Sequence, residues 1–212
     1  MHIFCFWTGD NPLTPNRLQC LDQLRRDSGV EVILVTKANL AQYILKDHPL
    51  HPVYPFLSET HRADYLRTYF MHFHGGGYSD IKYTTGSWVS AFELLENSPD
   101  KWINGYQAEH RGVIAYLPHG DYWQELIGNA AYICKPQTPL TTEWYDGMMA
   151  FLEEKSEDIF LHPATYPRDC KEESDYPIEW NEMLGRIFHR VSLPYRDRIL
   201  QTVPISIFYS YL

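Results

Sequence analysis

The sequence predicts an α/β fold. Within about 35 residues of its start the chain runs strand, helix, strand, the size of a βαβ unit whose crossover makes the two strands parallel neighbours. Beyond that point, apolar and β-branched runs keep alternating with helix-periodic segments. Pro and Gly punctuate the segments, with no internal repeat, low-complexity tract or long Gly/Ser linker, so one continuous domain is expected. A chain of 212 residues buries most of the surface its unfolded form exposes, and needs no metal or disulfide to fold.

Residues 3–7 are apolar and short enough for a first buried strand. Thr14 and Pro15 offer an N-cap and a first-turn proline for a helix that ends near Ser28 and Gly29. Residues 30–35 supply the next strand. Residues 38–45 read as a short helix, and the Pro-rich stretch 48–56 as extended, because each proline disfavours helix in the residue before it. Ser58 caps a helix that runs to His74, where Gly75, Gly76 and Gly77 stop it. A strand is expected over 78–83 and a short helix over 89–95. Residues 112–116 and 130–134 read as strands, 141–154 and 178–191 as helices, and 203–208 as a closing strand.

The net charge of −9 argues against a nucleic-acid partner, which demands a basic stripe that neutralises phosphates. Cys5, Cys20, Cys134 and Cys170 form no CxxC pair and no Cys/His cluster at zinc spacing, and are expected as reduced thiols of an intracellular protein. The apolar start is too short for a signal core or a membrane span, and no basic amphipathic helix is present. A cytoplasmic protein without membrane insertion is therefore expected. The apolar end, residues 205–212, leaves room for a longer multidomain chain.

Two segments offer chemistry. On the helix after Ser58, Asp64 and Arg67 stand three residues apart, hence side by side, as a carboxylate acceptor and a planar donor fork suited to hydroxyl-rich ligands. The plain alternative is a solvated ion pair contributing about 0.2–0.5 kcal/mol. Gly75, Gly76 and Gly77 then lead into Tyr78-Ser79-Asp80-Ile81-Lys82, where strand alternation turns Asp80 and Lys82 to one face. A carboxylate-held Mg²⁺ or Mn²⁺, or the lysine itself, can balance the charge that develops on a departing diphosphate. A glycine turn followed by a cross-face ion pair is the structural alternative. Asp80 is expected to be exposed, so that Asp80→Ala removes activity and leaves the fold intact.

Taken together, Ala63-Asp64-Tyr65-Leu66-Arg67, seven residues, and Gly75-Gly76-Gly77-Tyr78-Ser79-Asp80 resemble a sugar-transferase group. Its pattern is an A/S-D-x-x-R helix followed by G-G-x-Y-x-D-x-D, as in family 32 glycosyltransferases, capsular-polysaccharide-synthesis proteins, related enzymes of large algal viruses and glucosylating clostridial toxins. Residues 3–9 are similar to the first strand of that group and to the aromatic turn that receives the donor base. The resemblance covers about the first 90 residues. It implies a GT-A fold, a mixed central sheet flanked by helices, with a nucleotide-sugar-binding part over about 1–90 and an acceptor side over about 91–212. It implies a retaining hexosyltransferase that takes a hexose or deoxyhexose from a UDP-sugar to a glycan acceptor. Trp7, flanked by Phe6 and Thr8, would lie under uracil, and Asp64 and Arg67 would meet ribose and sugar hydroxyls. Asp80 would reach the metal, Mn²⁺ or Mg²⁺, or the ribose. Where that group has a second aspartate, this chain has Lys82, so either Asp80 holds the ion with water and phosphate oxygens or Lys82 balances the diphosphate; divalent-metal-assisted transfer helped by Asp80 is the expectation.

No nucleophile or base is marked in the sequence; Asp175, Glu179 and Glu182 are the carboxylates near a late helix. His72 and His74 stand two apart on a helix end, about 200° around the axis, and do not converge on a metal. Trp102, Tyr106, Tyr116, Tyr122 and Trp123 are candidates for an acceptor groove or for ordinary packing. The competing reading is a non-catalytic nucleotide-sugar or carbohydrate-binding domain with a degenerate D-x-D motif. A glycoside hydrolase would need two carboxylates about 5–10 Å apart across a cleft.

Overall fold

The computed structural model describes residues 1–116, 122–209 and 211. Its centre is a six-stranded mixed sheet with helices on both faces, joined by a small two-stranded sheet. The elements in chain order are β1 (His2–Trp7), α1 (Pro15–Asp27), β2 (Glu31–Thr36), α2 (Glu59–Phe73), β3 (Gly76–Ser79), β4 (Tyr83–Thr84) and α3 (Val89–Glu96). They continue with β5 (Ile103–Gln107), β6 (Ile127–Cys134), α4 (Pro139–Leu161), α5 (Ile187–Ser192), β7 (Ile199–Leu200) and β8 (Ser206–Ile207).

The sheet order is β2-β1-β3-β6-β5-β7, with β6 antiparallel to both of its neighbours and every other pairing parallel. Period-2 alternation explains why β1 is apolar throughout: Ile3 and Cys5 enter the core shared with α1 and α3, while Phe4 and Phe6 enter the core under α2 and α4. The chain leaves β1 through α1 to β2 on one side, then returns through α2 to β3 on the other. The carboxyl ends of β1 and β3 therefore flank the point where strand order reverses, the crevice in which open α/β sheets hold ligands.

Local chemistry sets the ends of these helices. Thr14 accepts a hydrogen bond from Arg17 N–H and Pro15 opens α1; Ser58 accepts from His61 N–H at the start of α2. At the other end of α2, Gly75 and Gly76 take φ of 65° and 81°, and Gly75 N–H donates back to Phe70 O at 3.0 Å. A Cβ on Gly75 would come within 2.6 Å of Pro136.

Several expected elements differ. Over 38–45 only a 3₁₀ turn forms, Leu40–Gln42, because the Asn39 side chain accepts from Thr36 N–H and donates to Leu34 O. Residues 112–116 are not a strand: a 3₁₀ turn covers Arg111–Val113, and Ala115 N–H is taken by His189 Nδ1 at 2.9 Å. The strand expected over 78–83 breaks after Ser79, where the 80–82 bend begins. The helix expected over 178–191 is a π-helical turn, Glu182–Arg186, leading into α5. Of 203–208 only β8 is a strand, and it pairs with β4 rather than with the central sheet. Among the described residues no helix is long and apolar enough to cross a membrane. All four cysteines are free and buried.

His189 is fully buried, accepting from Ala115 N–H at Nδ1 and donating to Ile127 O at 3.0 Å, which fixes the neutral Nε2–H tautomer. Burial lowers it to about 4, against hydrogen bonding to Ile127 O that works the other way. The unfolded chain takes up this proton near pH 6.5, so stability present above that pH is lost as pH falls towards 4. Urea unfolding of His189→Gln across pH 7 to 4.5 is expected to show a shallower loss than wild type; parallel curves would contradict this assignment.

Candidate functional site

The 80–82 bend begins where β3 ends. Asp80 N–H donates to Ala130 O at 2.8 Å, anchoring the bend to β6, and Lys82 N–H donates to Asp80 O at 2.8 Å. Asp80 and Lys82 thus meet across a bend, where one strand face had been expected. Lys82 Nζ pairs with Asp80 Oδ2. Tyr78 O–H donates to Asp80 Oδ1 at 2.5 Å.

α2 is buried nearly all round, between the sheet and α4, so Asp64 and Arg67 are an interior pair and the solvated reading fails. Arg67 Nη2 lies 3.1 Å from Asp64 Oδ1 and 3.4 Å from Asp80 Oδ1, Nη1 donates to Asn129 O at 2.9 Å, and the guanidinium stacks 4.4 Å above the Tyr78 ring. One arginine is shared by two carboxylates, with unequal results. Burial pushes Asp64 up to about 6, outweighing Arg67, and repulsion from Asp80 adds to it. Burial acts the same way on Asp80, but Lys82 and Arg67 together reverse it and hold Asp80 at about 2. Below pH 6 the charge is therefore withdrawn first from Asp64, the member farther from solvent.

Arg67, Tyr78, Asp80 and Lys82 line a cavity of about 410 Å³ at the carboxyl ends of β1 and β3, the size of a small-ligand site. Phe6, Trp7 and Thr8 come from the end of β1, and Arg67, Asp80 and Lys82 from α2 and the bend. Trp7 is half-buried, its ring fixed by Nε1–H donating to Asn11 O at 2.7 Å. Asp64 does not line the cavity; it stands behind Arg67 and orients it. Both Asp80 oxygens are already engaged, by Tyr78 O–H and the Lys82 ammonium.

The molecule resembles a solved structure named PaToxG glycosyltransferase, with a TM-score of 0.50 at 10% identity, over 92% of this chain and 68% of that one. The architecture is a glycosyltransferase fold. No protein-family model matches the chain, and no curated protein does. At this identity the likeness is one of fold, and the chemistry must be read from the side chains.

Five charged or aromatic lining residues carried no signal in the sequence. Arg17 reaches the cavity from the first turn of α1, donating to Ile81 O at 2.7 Å. Glu59 opens α2. Arg168 and Trp180 arrive from the irregular segment between α4 and α5, where Arg168 lies 5.2 Å over the exposed Trp180 ring. Tyr211 comes from the chain end. The late carboxylates lie elsewhere: Glu179 pairs with Arg186 at 2.5 Å, Glu182 with Lys155 at 3.6 Å, and Asp175 lines a separate cleft with Lys155 and Lys171. The aromatic candidates are also away from this cavity. Tyr106 is buried in the core, Trp102 packs on Tyr195, and Tyr122 lies under Arg196. His72 stacks on Tyr145, and the His74 ring Nε2 bonds Tyr43 O at 2.8 Å.

Asp80 was expected to be an exposed group of little structural weight. Its side chain is 21% exposed and compensates Lys82 and Arg67, both about nine-tenths buried. Asp80→Ala is therefore expected to lower stability by about 3 kcal/mol or more, because it leaves uncompensated buried charge. Asp80→Asn, which keeps an acceptor for Tyr78 O–H, is expected to lose less. Urea unfolding midpoints check this; equal, negligible losses would contradict it.

Proposed function

We propose that this chain is a retaining glycosyltransferase that moves a hexose or deoxyhexose from a UDP-sugar to a glycan acceptor. One observation carries the donor reading. Arg17, Arg67, Lys82 and Arg168, with only Glu59 and Asp80 as carboxylates among the described residues, line one aromatic-walled cavity, a cationic site in a chain of net charge −9. Such a site selects a ligand that combines anionic and ring-bearing parts, as a nucleoside diphosphate does. The fold supports the choice of a sugar nucleotide over other diphosphates.

In this reading uracil stacks on Trp7, held between Phe6 and Thr8 at the end of β1. Arg67, backed by Asp64, meets donor hydroxyls from the floor, Asp80 accepts a ribose or sugar hydroxyl, and Lys82 faces the diphosphate. Trp180 and Arg168, on the loop whose Pro167 O accepts from Thr60 N–H, offer an aromatic face and a cation to the acceptor. The non-catalytic alternative, favoured by lysine at the second acidic position, differs in one respect: it binds UDP-sugar without releasing UDP.

Thermal unfolding with UDP, GDP and their sugars distinguishes these ideas. UDP at 100 times its Kd is expected to add about 2.7 kcal/mol of stability, and GDP much less. Trp7→Ala is expected to weaken UDP binding by about 1–3 kcal/mol, the worth of one base stacked on an aromatic ring, while Trp7→Phe keeps most of it. Chromatographic release of UDP from UDP-sugar then tests turnover. No response to any nucleotide would overturn the donor reading; binding without turnover would favour the non-catalytic one.

A further inference from the structure

We propose that the diphosphate of the donor is held without a divalent ion, by the Lys82 ammonium and the Arg17 guanidinium. The proposal rests on the UDP-sugar reading above and adds what balances the charge. Mg²⁺ and Mn²⁺ require several oxygen ligands in near-octahedral array, normally from carboxylates, phosphates and water. Asp80 fits that requirement poorly. Its Oδ1 accepts from Tyr78 O–H at 2.5 Å and faces Arg67 at 3.4 Å, and its Oδ2 is taken by Lys82. An ion arriving at Asp80 would have to displace the ammonium or sit against it, and like charges about 4 Å apart repel strongly in a partly dry site.

Lys82 instead brings a cation to the cavity wall. Its side chain is only 8% exposed, yet it lines the cavity. Asp80 is its hydrogen-bond acceptor among the described residues, which leaves ammonium N–H donors for a ligand. The Phe208 and Tyr211 rings lie 4.2 and 4.9 Å from Nζ and shield it from water. Arg17 converges on the same wall from α1: its guanidinium lies 4.6 Å over the Tyr211 ring, and Nη1 donates to the carbonyl of Ile81, the residue between Asp80 and Lys82. Two cations thus share the Tyr211 ring as their backing, with Asp80 paired to Lys82. The local excess of positive charge fits a bound polyanion.

In the transfer step the bond between the donor sugar C1 and the diphosphate oxygen breaks, with the electron pair remaining on that oxygen. The acceptor hydroxyl oxygen forms the new bond to C1, and its proton ends on the released diphosphate. Lys82 and Arg17 stabilise the oxygen that gains the pair, in a site where fixed donors act with little screening.

Isothermal titration of wild-type protein with UDP in excess EDTA, and again with Mn²⁺, tests the proposal directly. The Kd is expected to agree within about twofold. Lys82→Met is expected to raise the Kd at least about tenfold under both conditions, and Lys82→Arg to keep most of the affinity because a buried donor cation is retained. UDP binding that vanishes in EDTA and returns with Mn²⁺ would overturn the proposal while leaving the UDP-sugar reading intact. Absence of UDP binding under both conditions would overturn that reading and the proposal together.

Discussion

The site depends on burying a single guanidinium between two carboxylates. Arg67 belongs to a helix, Asp80 to the bend that follows a strand, and Asp64 ties the arginine back to its own helix. Removing these charges from water is expensive, and the expense is offset only when the geometry is good and the remaining donors are satisfied. Here Nη1 finds Asn129 O on β6 and the planar face finds Tyr78, so one side chain joins α2, β3 and β6, while Nε–H has no partner among the described residues. Lys82 extends the alternation to four charges in sequence, Asp64, Arg67, Asp80 and Lys82, running from interior to cavity. An arrangement of this kind fixes donor positions more firmly than isolated surface groups could, because moving any member leaves its neighbour unpaired in a medium of low polarity.

That alternation works as a site because of where the sheet puts it. The reversal of strand order at β1 opens a crevice at the strand ends, and the polar residues that cannot enter either core collect there. Thr8 follows the last core residue pair of β1, and Asp80 follows the last residue of β3. The same arithmetic that alternates Phe4 and Phe6 with Ile3 and Cys5 therefore delivers Trp7 to the rim. Stability and the proposed function would draw on the same residues: Asp80 compensates Lys82 and Arg67 and also lines the cavity.

Much of the first third of the fold was legible because its signals are local; the exceptions are 38–45, where only a 3₁₀ turn forms, and the end of 48–56, which turns as 3₁₀ over Tyr54–Phe56 instead of running extended. Thr14 with Pro15, Ser58, and the glycines after His74 each act through neighbouring backbone, and β1 and β2 are apolar on both faces. The rest was set by contacts distant in sequence. β5 reads Ile-Asn-Gly-Tyr-Gln, a poor strand until Asn104 is seen donating to Ala91 O and Thr202 Oγ1, and Gly105 is seen packed against Ile127. Of the site, Asp64, Arg67 and Asp80 were legible from spacing, but not that Asp64 would face away from the cavity. Arg168 and Trp180 lie on a segment without periodicity. It is shaped by the buried Asp169 carboxylate, which accepts from Thr165 and Ser174, and by Pro167 O accepting from Thr60 N–H on α2. No pattern along the chain announces such a loop.

The central claim is electrostatic: Arg67 makes it possible for Asp64 and Asp80 to be ionised side by side. Unfolding of Arg67→Met in urea, compared with wild type at pH 8 and pH 5, measures it most directly. At pH 8 the variant should lose about 3–5 kcal/mol, because the buried Asp64 is left uncompensated and Asp80 keeps only Lys82. Their raised affinity for protons should shrink the deficit at pH 5, since the folded variant then binds more protons than the unfolded chain. A deficit of the same size at both pH values would mean that Arg67 acts by packing alone, and would contradict the account.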